Sequence, residues 1–233
     1  QNQELIMAGI EQYSFSELLG DPINYTSSQT FGDNTRIVLN STTADQSGEG
    51  GELQSTSRFM GIRQANSDLN QTFGANTQVL INNTAGTITM DGEDTRVVAG
   101  SSLIGIAQIN SKNSTQTFGD NTKVQVKNSL GDLIVEGDES QLGLISEATG
   151  ISQSGSSGSS SQTFGENTQI RVESKAGSIK NTASAEIDFS AKGIEQANRG
   201  AQMTFGNGTQ VTVHAEVGAI EGVQELNSSV NAY

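Results

Sequence analysis

The chain has 233 residues, a formal net charge of −14 at pH 7, no cysteine and a single proline. The charge disfavours nucleic acid and anionic membrane surfaces as partners, because both are bound through basic side chains. The lack of cysteine excludes disulfides and thiolate chemistry. Proline cannot donate to a strand ladder, so its scarcity favours a chain rich in β-strands. No apolar run reaches the length of about 18 residues that a membrane span needs, and we expect no membrane insertion.

The N-terminal segment, residues 1–24, contains a Gly-Ile-x-Gln word at Gly9–Gln12 and a turn signal at Gly20-Asp21-Pro22. Its apolar residues suit either a strand or a short amphipathic helix. We interpret it as an N-terminal cap or an assembly segment.

Two short sequence words recur in the same order along the chain. The Gly-Ile-x-Gln word is found at residues 9–12, 61–64, 105–108, 150–153 and 193–196. The second word, Gln-Thr-Phe-Gly-x-Asn-Thr, begins at Gln29, Gln71, Gln116 and Gln162, with a degenerate copy from Met203. Its phenylalanines are 42, 45, 46 and 41 residues apart. Self-similarity at such a period is the signature of a repeat protein.

The words divide the chain into five units of about 44 residues, which follow the N-terminal segment. Their predicted boundaries are 25–60, 61–104, 105–149, 150–192, and 193–233 with the C-terminal end.

Within a unit, the alternation of β-branched and polar residues predicts a half-buried strand after each Gln-Thr-Phe-Gly word, as at Thr122–Val126. A turn at Asn83–Gly86, a short strand at Thr87–Met90 and a second turn at Asp91–Asp94 follow in the second unit. In the first unit these parts are nearly lost to polar residues over Ser41–Ser57. The stretch Ser152–Ser161 is predicted to be a flexible loop.

The two residues after each Gln-Thr-Phe-Gly form a predicted corner. The second of them is Asn in four units and Gly in the last, and both residue types tolerate a left-handed backbone. With the glycine that precedes each corner, the predicted corner residues are Gly32, Asn34, Gly74, Asn76, Gly119, Asn121, Gly165, Asn167, Gly206 and Gly208.

A unit of this size cannot bury its apolar face alone, so the sequence predicts an all-β repeat protein in the form of a β-solenoid. An antiparallel β-meander or hairpin array is the alternative, because Asn207-Gly208 is also a favoured hairpin turn. The predicted core columns are Phe31, Phe73, Phe118, Phe164 and Phe205, and Ile10, Ile62, Ile106, Ile151 and Ile194. The candidates for amide ladders are Gln29, Gln71, Gln116, Gln162, Gln64, Gln108, Gln153 and Gln196.

The sequence offers no constellation typical of an enzyme, and no catalytic residue and no metal site is predicted. His214 is the only histidine and is expected at the surface, so no Ser-His or Cys-His pair is available. Paired carboxylates could hydrolyse glycans, and the acidic turns Asp91, Glu93, Asp94 and Glu136, Asp138, Glu139 could bind calcium. Turns select Asp and Gly in any case, so we expect no cofactor, with calcium as the one alternative.

Repeated Gln, Gly and Asn at fixed offsets, in an acidic chain without cysteine, resemble secreted bacterial amyloid-type matrix fibre subunits of the curli and Fap classes. The resemblance implies secretion, extracellular polymerisation and a role in biofilm or surface attachment. The chain ends in strand-like sequence without a capping helix, and uncapped edges are templates for another copy. It begins at Gln1 rather than Met, which also leads us to expect export.

The predicted function is therefore that of a structural subunit of a self-assembling extracellular filament. The predicted partners are copies of the chain itself, with a nucleator or a cell-surface anchor as further candidates. The alternative is a monomeric adhesin stalk or passenger domain that binds a glycan or receptor.

Overall fold

A computed structural model describes residues 2–13, 27–109, 112–137, 139–154, 159–181, 183–197 and 200–233. These residues form 21 strands and no helix, and every strand pairs in parallel with its neighbours. The fold is a β-solenoid, which confirms the predicted class. The antiparallel alternative is wrong, because each strand pairs with its equivalent in the next unit.

Five successive coils of four strands make up the solenoid, and one further strand follows them. Coil one consists of β1 (Asn2–Tyr13), β2 (Ser27–Phe31), β3 (Arg36–Thr43) and β4 (Gln46–Glu49). Coil two consists of β5 (Glu52–Ala65), β6 (Leu69–Phe73), β7 (Gln78–Ala85) and β8 (Ile88–Asp91). Coil three consists of β9 (Arg96–Ile109), β10 (Thr115–Phe118), β11 (Lys123–Leu130) and β12 (Leu133–Glu136).

Coil four consists of β13 (Gln141–Ser154), β14 (Ser161–Phe164), β15 (Gln169–Ala176) and β16 (Ile179–Asn181). Coil five consists of β17 (Ser184–Ala197), β18 (Gln202–Phe205), β19 (Gln210–Val217) and β20 (Ile220–Glu221). The final strand is β21 (Glu225–Ala232).

Equivalent strands stack into four parallel sheets. The long sheet has the order β1-β5-β9-β13-β17-β21, and the Phe sheet has the order β2-β6-β10-β14-β18. The middle sheet is β3-β7-β11-β15-β19, and the short sheet is β4-β8-β12-β16-β20. The chain passes from the long sheet to the Phe, middle and short sheets in turn and then enters the next coil.

The pairing is in register although the repeats differ in length. Phe118 pairs with Phe73 on one side and with Phe164 on the other, and Ile106 likewise pairs with Ile62 and Ile151. Much of the variation in repeat length falls in the connection between the long strand and the Phe strand. Gln64 and Gln71 of coil two are 7 positions apart, Gln108 and Gln116 of coil three are 8 apart, and Gln153 and Gln162 of coil four are 9 apart. Insertions in this connection therefore leave the register of the sheets unchanged.

The core is divided into two apolar clusters, of which coil one contributes only to the first. One lies between the Gly-Ile-x-Gln half of the long sheet, the Phe sheet and the middle sheet, and contains the Phe and Ile columns. The other lies between the first half of the long sheet and the short sheet, around residues such as Val97, Val135 and Leu144. Facing sheets thus bury aliphatic side chains between them, although the coil is narrow.

The glycine of each Gly-Ile-x-Gln word lies against a middle-sheet side chain and the backbone of the neighbouring long strand. A Cβ atom at Gly105 would lie 2.4 Å from Val124 Cγ1 and 2.5 Å from the Gly150 carbonyl oxygen. The corresponding Cβ at Gly150 would lie 2.5 Å from Ile170 Cγ2. Because no side chain fits in that space, the word requires glycine for packing.

Several local predictions need correction. The turn predicted at Asn83–Gly86 is wrong, because β7 continues to Ala85 and Asn83 is buried in the coil. The polar stretch Ser41–Ser57 still forms strands, since β4 pairs with β8 through its backbone. Residues 2–13 form a strand and not the alternative helix.

The serine-rich stretch is only partly a loop. Ser152 lies in β13 and is buried, Ser160 is buried and Ser161 begins β14. Residues 155–158 are outside the described residues, as are the turn signal at residues 20–22 and Asp138. The predicted unit boundaries stay predictions.

Candidate assembly site

The five phenylalanines of the repeated word form one continuous stack. Adjacent ring centroids are 4.7 to 4.9 Å apart, and the ring planes differ by 3 to 8°. Phe73, Phe118 and Phe164 are 1 % exposed, whereas Phe31 and Phe205, in the first and last coils, are partly exposed. The ring spacing equals the strand spacing of a parallel sheet, so each ring continues the stack by one strand.

The isoleucines of the Gly-Ile-x-Gln words form a second column beside the rings. Ile62, Ile106 and Ile151 are fully buried, while Ile10 and Ile194 pack partly exposed against the same cluster. The residues predicted as core are therefore brought together in one cluster.

Two ladders of glutamine side chains run along the solenoid axis. In the long sheet, Gln108 donates through Nε2 to Gln64 Oε1 at 2.8 Å and accepts from Gln153 Nε2 at 2.7 Å. Gln196 and Gln12 extend this ladder at its two ends. All the candidate residues of this set are thus hydrogen-bonded, and Gln12 belongs to the ladder although it was not among the candidates.

The second ladder lies in the Phe sheet. Gln116 donates to Gln71 Oε1 at 2.8 Å, and Gln162 donates to Gln116 Oε1 at 2.7 Å. Gln71 in turn donates to Gln29 at 3.0 Å. The next position is Met203, and the buried Oε1 atom of Gln162 has no hydrogen-bond partner within the described part of the chain. The substitution of Gln by Met in coil five therefore ends this ladder.

The corner after each Phe strand has the left-handed backbone that Asn and Gly tolerate. The φ angles are 61°, 58°, 57° and 56° at Asn34, Asn76, Asn121 and Asn167, and 76° at Gly208. The Asn121 amide donates to Asn76 Oδ1 at 3.2 Å, and the Thr122 hydroxyl closes the corner on the Gly119 carbonyl at 2.8 Å. A third amide ladder thus runs along the corners.

We expect Asn121→Val to lower the free energy of unfolding by more than Asn121→Gly does. A β-branched residue resists positive φ, whereas glycine adopts it without steric cost. Both substitutions remove the same amide from the ladder, so each variant controls for that loss in the other. Urea unfolding followed by circular dichroism measures the difference, and equal stabilities would contradict the corner geometry.

Aspartates at two corners bond to the neighbouring coil, a role that the sequence analysis missed. Asp120 Oδ1 accepts the Glu166 backbone N–H, and Asp132 Oδ1 accepts that of Ser178, both at 2.8 Å. Asp33 and Asp45 make the same bonds to coil two. Each aspartate thereby accepts a hydrogen bond from a backbone N–H of the next coil. The sequence signal for this role was the recurrence of Asp at the same corner positions in alternate units.

A buried polar network separates the two apolar clusters, and it was also missed. Asn128 donates to Ser101 Oγ at 2.7 Å and to Ser146 Oγ at 2.8 Å, and it accepts from Asn83 at 2.9 Å. Asn83, Asn128 and Ser174 occupy equivalent strand positions, and this recurrence was the sequence signal for the network. Asn and Ser are also typical of turns, so the local sequence predicts turns instead. Hydrogen bonding between equivalent coils makes their burial favourable.

Four ion pairs among the described residues connect residues that face each other across neighbouring coils. Arg96 pairs with Glu52 at 3.3 Å, and Lys175 pairs with Glu216 at 3.4 Å. The hydrogen bond with His214, followed by the bond from Lys175, lowers the pKa of the Glu216 carboxyl. Exposed pairs of this kind contribute little stability, but opposite charges at facing positions favour the observed register.

The acidic turns lie at the corner between the short and long sheets. Asp94 and Glu139 both have positive φ, as turn residues do, and Asp91 faces Glu136. The described residues contain no group of three or more His, Cys, Asp or Glu side chains placed to hold a metal ion. His214 is exposed and bonds to Glu216 at 3.1 Å, as expected of a surface position.

Each sheet presents an open hydrogen-bonding edge at both ends of the described structure. Strands β1 to β4 form one end, and β18 to β21 form the other. The long sheet has six strands and the other three sheets have five, because β21 pairs with β17 over Ser184–Ala191. Open parallel edges accept further strands of the same register, and these two ends are the candidate assembly site.

The fold and its ladders define the chain as an in-register β-solenoid. No protein-family model, no curated protein and no solved structure matches it. In the part of the chain that the structure describes, no helix has the length and apolar character to cross a membrane.

Proposed function

We propose that the protein is a structural subunit that assembles head to tail into an extracellular filament. The observation that carries the proposal is the in-register stacking of equivalent side chains, seen most directly in the unbroken Phe stack. Each coil offers its neighbour the same ring and backbone edge that it receives from the other side, and the Gly-Ile-x-Gln amide likewise continues through coil five. Head-to-tail addition of such ends does not close on itself and gives an open filament.

A join that continues all four sheets is specified by the internal register. The second copy's β2, β3 and β4 would extend β18, β19 and β20, which brings Phe31 of that copy onto Phe205 and its Ile37 onto Val211. Val211 occupies in coil five the core position that Ile170 fills in coil four, and it is 45 % exposed in the isolated chain. The join would therefore cover an apolar side chain as well as strand edges.

The same join requires the second copy's β1 to take the edge of β17. Over Ser184–Ala191 that edge is covered by β21, whose side chains are mostly exposed. We propose that β21 is displaced during assembly, because β21 pairs with β17 only over Ser184–Ala191, whereas the incoming β1 would pair with β17 as far as Gln196 and bring Ile10 and Gln12 with it. These positions would extend the Gln and Ile columns beyond Gln196 and Ile194.

Like charges meet across this join and make assembly dependent on ionic strength. By the internal register, the second copy's Glu4 would face Asp188 and its Glu11 would face Glu195. Like charges directly opposite each other destabilise a strand pair, and salt screens exposed charges. Filament formation should therefore be faster at high than at low salt.

Electron microscopy of the purified chain at low and high salt tests the proposal. We expect filaments that appear sooner at high salt, and a shorter lag in a chain that lacks residues 224–233, since the β17 edge is then open. Substituting Lys for Glu4 and Glu11 should remove much of the salt dependence. Separate short rods under every condition would contradict the filament and favour the monomeric adhesin module.

Secretion, a role in biofilm matrix or surface attachment, and a nucleator or cell-surface anchor are part of the same proposal. They are supported by the resemblance to curli- and Fap-class fibre subunits and by the cysteine-free composition.

A further inference from the structure

The outer face of the long sheet carries two apolar side chains and two glycines in a checkerboard. Val98 in β9 is paired with Gly143 in β13, and two positions along the same strands Gly100 is paired with Ile145. All four lie on the outward side, and Ile145 is 53 % exposed. Each protruding apolar side chain therefore has a glycine beside it on the neighbouring strand.

These two glycines are not required by the coil itself. A Cβ atom at Gly143 would have no neighbour closer than 3.9 Å, and one at Gly100 none closer than 3.4 Å. Neither residue has a positive φ. Glycine in a strand interior weakens the strand and often marks a site where another chain approaches closely. The two depressions therefore point to a role outside the coil.

The depressions form two shallow grooves on this face, each of about 430 Å³. One is lined by Gly143 with Val98 and Glu186, and the other by Gly100 with Ile145 and Arg58. Val98 lines both grooves. A surface on which protruding side chains alternate with glycines is suited to a copy of itself, because a two-fold rotation can place each protrusion over a glycine.

We propose that this face binds the same face of a second copy of the chain, around a two-fold axis parallel to the strands. Such a rotation reverses the order of the coils, so coil three of one copy lies over coil four of the other. Val98 then enters the depression at the second copy's Gly143, and Ile145 enters the one at its Gly100. The two-fold repeats both contacts, as in any isologous interface.

Charge distribution selects this orientation over the other face-to-face arrangement. Arg58, in coil two, would face coil five of the second copy, two residues along the strand from its Asp188 and one strand spacing from its Glu147. Within the described residues Arg58 forms no ion pair. An axis parallel to the solenoid would also match protrusions with depressions, but it would place Asp188 against the second copy's Glu186. Like charges facing each other disfavour that arrangement.

The face is large enough for a specific interface. Six strands of up to 14 residues make a sheet of roughly 25 by 40 Å at standard strand spacing and rise. A standard interface buries about 800 Å² on each partner, which is somewhat less than this face offers. The pairing is lateral, so it uses none of the sheet edges of the head-to-tail join and does not depend on the filament.

Gly143→Val tests the proposal with a variant that should not harm the fold. A Cβ at this position has space, and valine is favoured in strands. In the dimer, however, it would fill the depression that Val98 enters. In freshly purified chain, sedimentation velocity should show a dimer whose association constant falls at least tenfold in Gly143→Val, while the melting temperature does not fall.

Charge reversal tests the orientation. Arg58→Glu should weaken the dimer, and Arg58→Glu combined with Glu147→Arg should restore most of the association. Lys123→Glu, on the outer side of the middle sheet, is the matched control and should leave the dimer unchanged.

Cross-linking then fixes the geometry in this cysteine-free chain. Gln54→Cys together with Glu186→Cys should be linked between copies by a short bifunctional maleimide, because the proposed axis places these residues opposite each other. Within one chain they are three strand spacings apart, roughly 14 Å. A chain that stays monomeric at its highest soluble concentration would overturn the proposal. A dimer insensitive to both Gly143→Val and Arg58→Glu would also overturn it and would indicate association through the sheet edges instead.

Discussion

Phe118→Ala is expected to lower the free energy of unfolding by about 3–5 kcal/mol, the range for removing a fully buried aromatic ring. Phe118 is 1 % exposed and lies 4.8 Å from the Phe73 ring on one side and 4.8 Å from the Phe164 ring on the other. Its loss leaves a cavity in the middle of a column whose neighbours are fixed by strand pairing, so the coils cannot collapse into it.

Guanidinium unfolding monitored by circular dichroism measures this loss. Phe205→Ala is the matched control, because Phe205 has one ring neighbour at 4.9 Å and is partly exposed. It should cost distinctly less than Phe118→Ala in the unassembled chain. A loss below about 1 kcal/mol for Phe118→Ala would be incompatible with a packed ring at this position.

The second large effect is expected for Gly150→Ala. A Cβ atom there would lie 2.5 Å from Ile170 Cγ2 and 2.6 Å from the Gly193 carbonyl oxygen. Overpacking of a core costs about 1–3 kcal/mol and occasionally more. Because one of the two obstacles is backbone held in a sheet, we expect a loss of about 3 kcal/mol or more.

Gly143→Ala is the control for this substitution, since both glycines lie in β13. At Gly143 the added methyl group meets nothing within 3.9 Å, and alanine reduces the freedom of the unfolded chain. It should be neutral or stabilising by up to about 1 kcal/mol. Thermal and chemical unfolding of both variants gives the comparison, and similar effects would show that Gly150 is not in such close contact with Ile170 and the Gly193 carbonyl oxygen.

The filament and the lateral dimer make separable demands on the chain. The first needs the edges of the sheets, whereas the second needs the outer face of the long sheet. Variants such as Gly143→Val should therefore affect the dimer and leave filament formation from the ends intact. Paired filaments would be expected only where both surfaces act.

The sequence by itself determined the repeat, the residues of the Phe and Ile columns and the type of backbone at the corner. These properties are local: a fixed period, an invariant ring and the interchange of Asn with Gly at one position are visible without knowing any partner. The choice of Asn121 and Gly208 as equivalent corner residues required only the φ preferences of two amino acids.

Only the tertiary structure decided the direction of pairing and the closure of the coil. An alternating strand such as Lys123–Leu130 reads the same in a hairpin and in a parallel ladder, because the period of two does not depend on the neighbour. Its first residue, Lys123, pairs with Gln78 and Gln169, which are 45 and 46 residues away in the sequence. The burial of Asn83 and Asn128 has the same origin. In the local sequence, Asn residues indicate a turn. Only the hydrogen bonds between equivalent coils make the interior of a strand favourable for them.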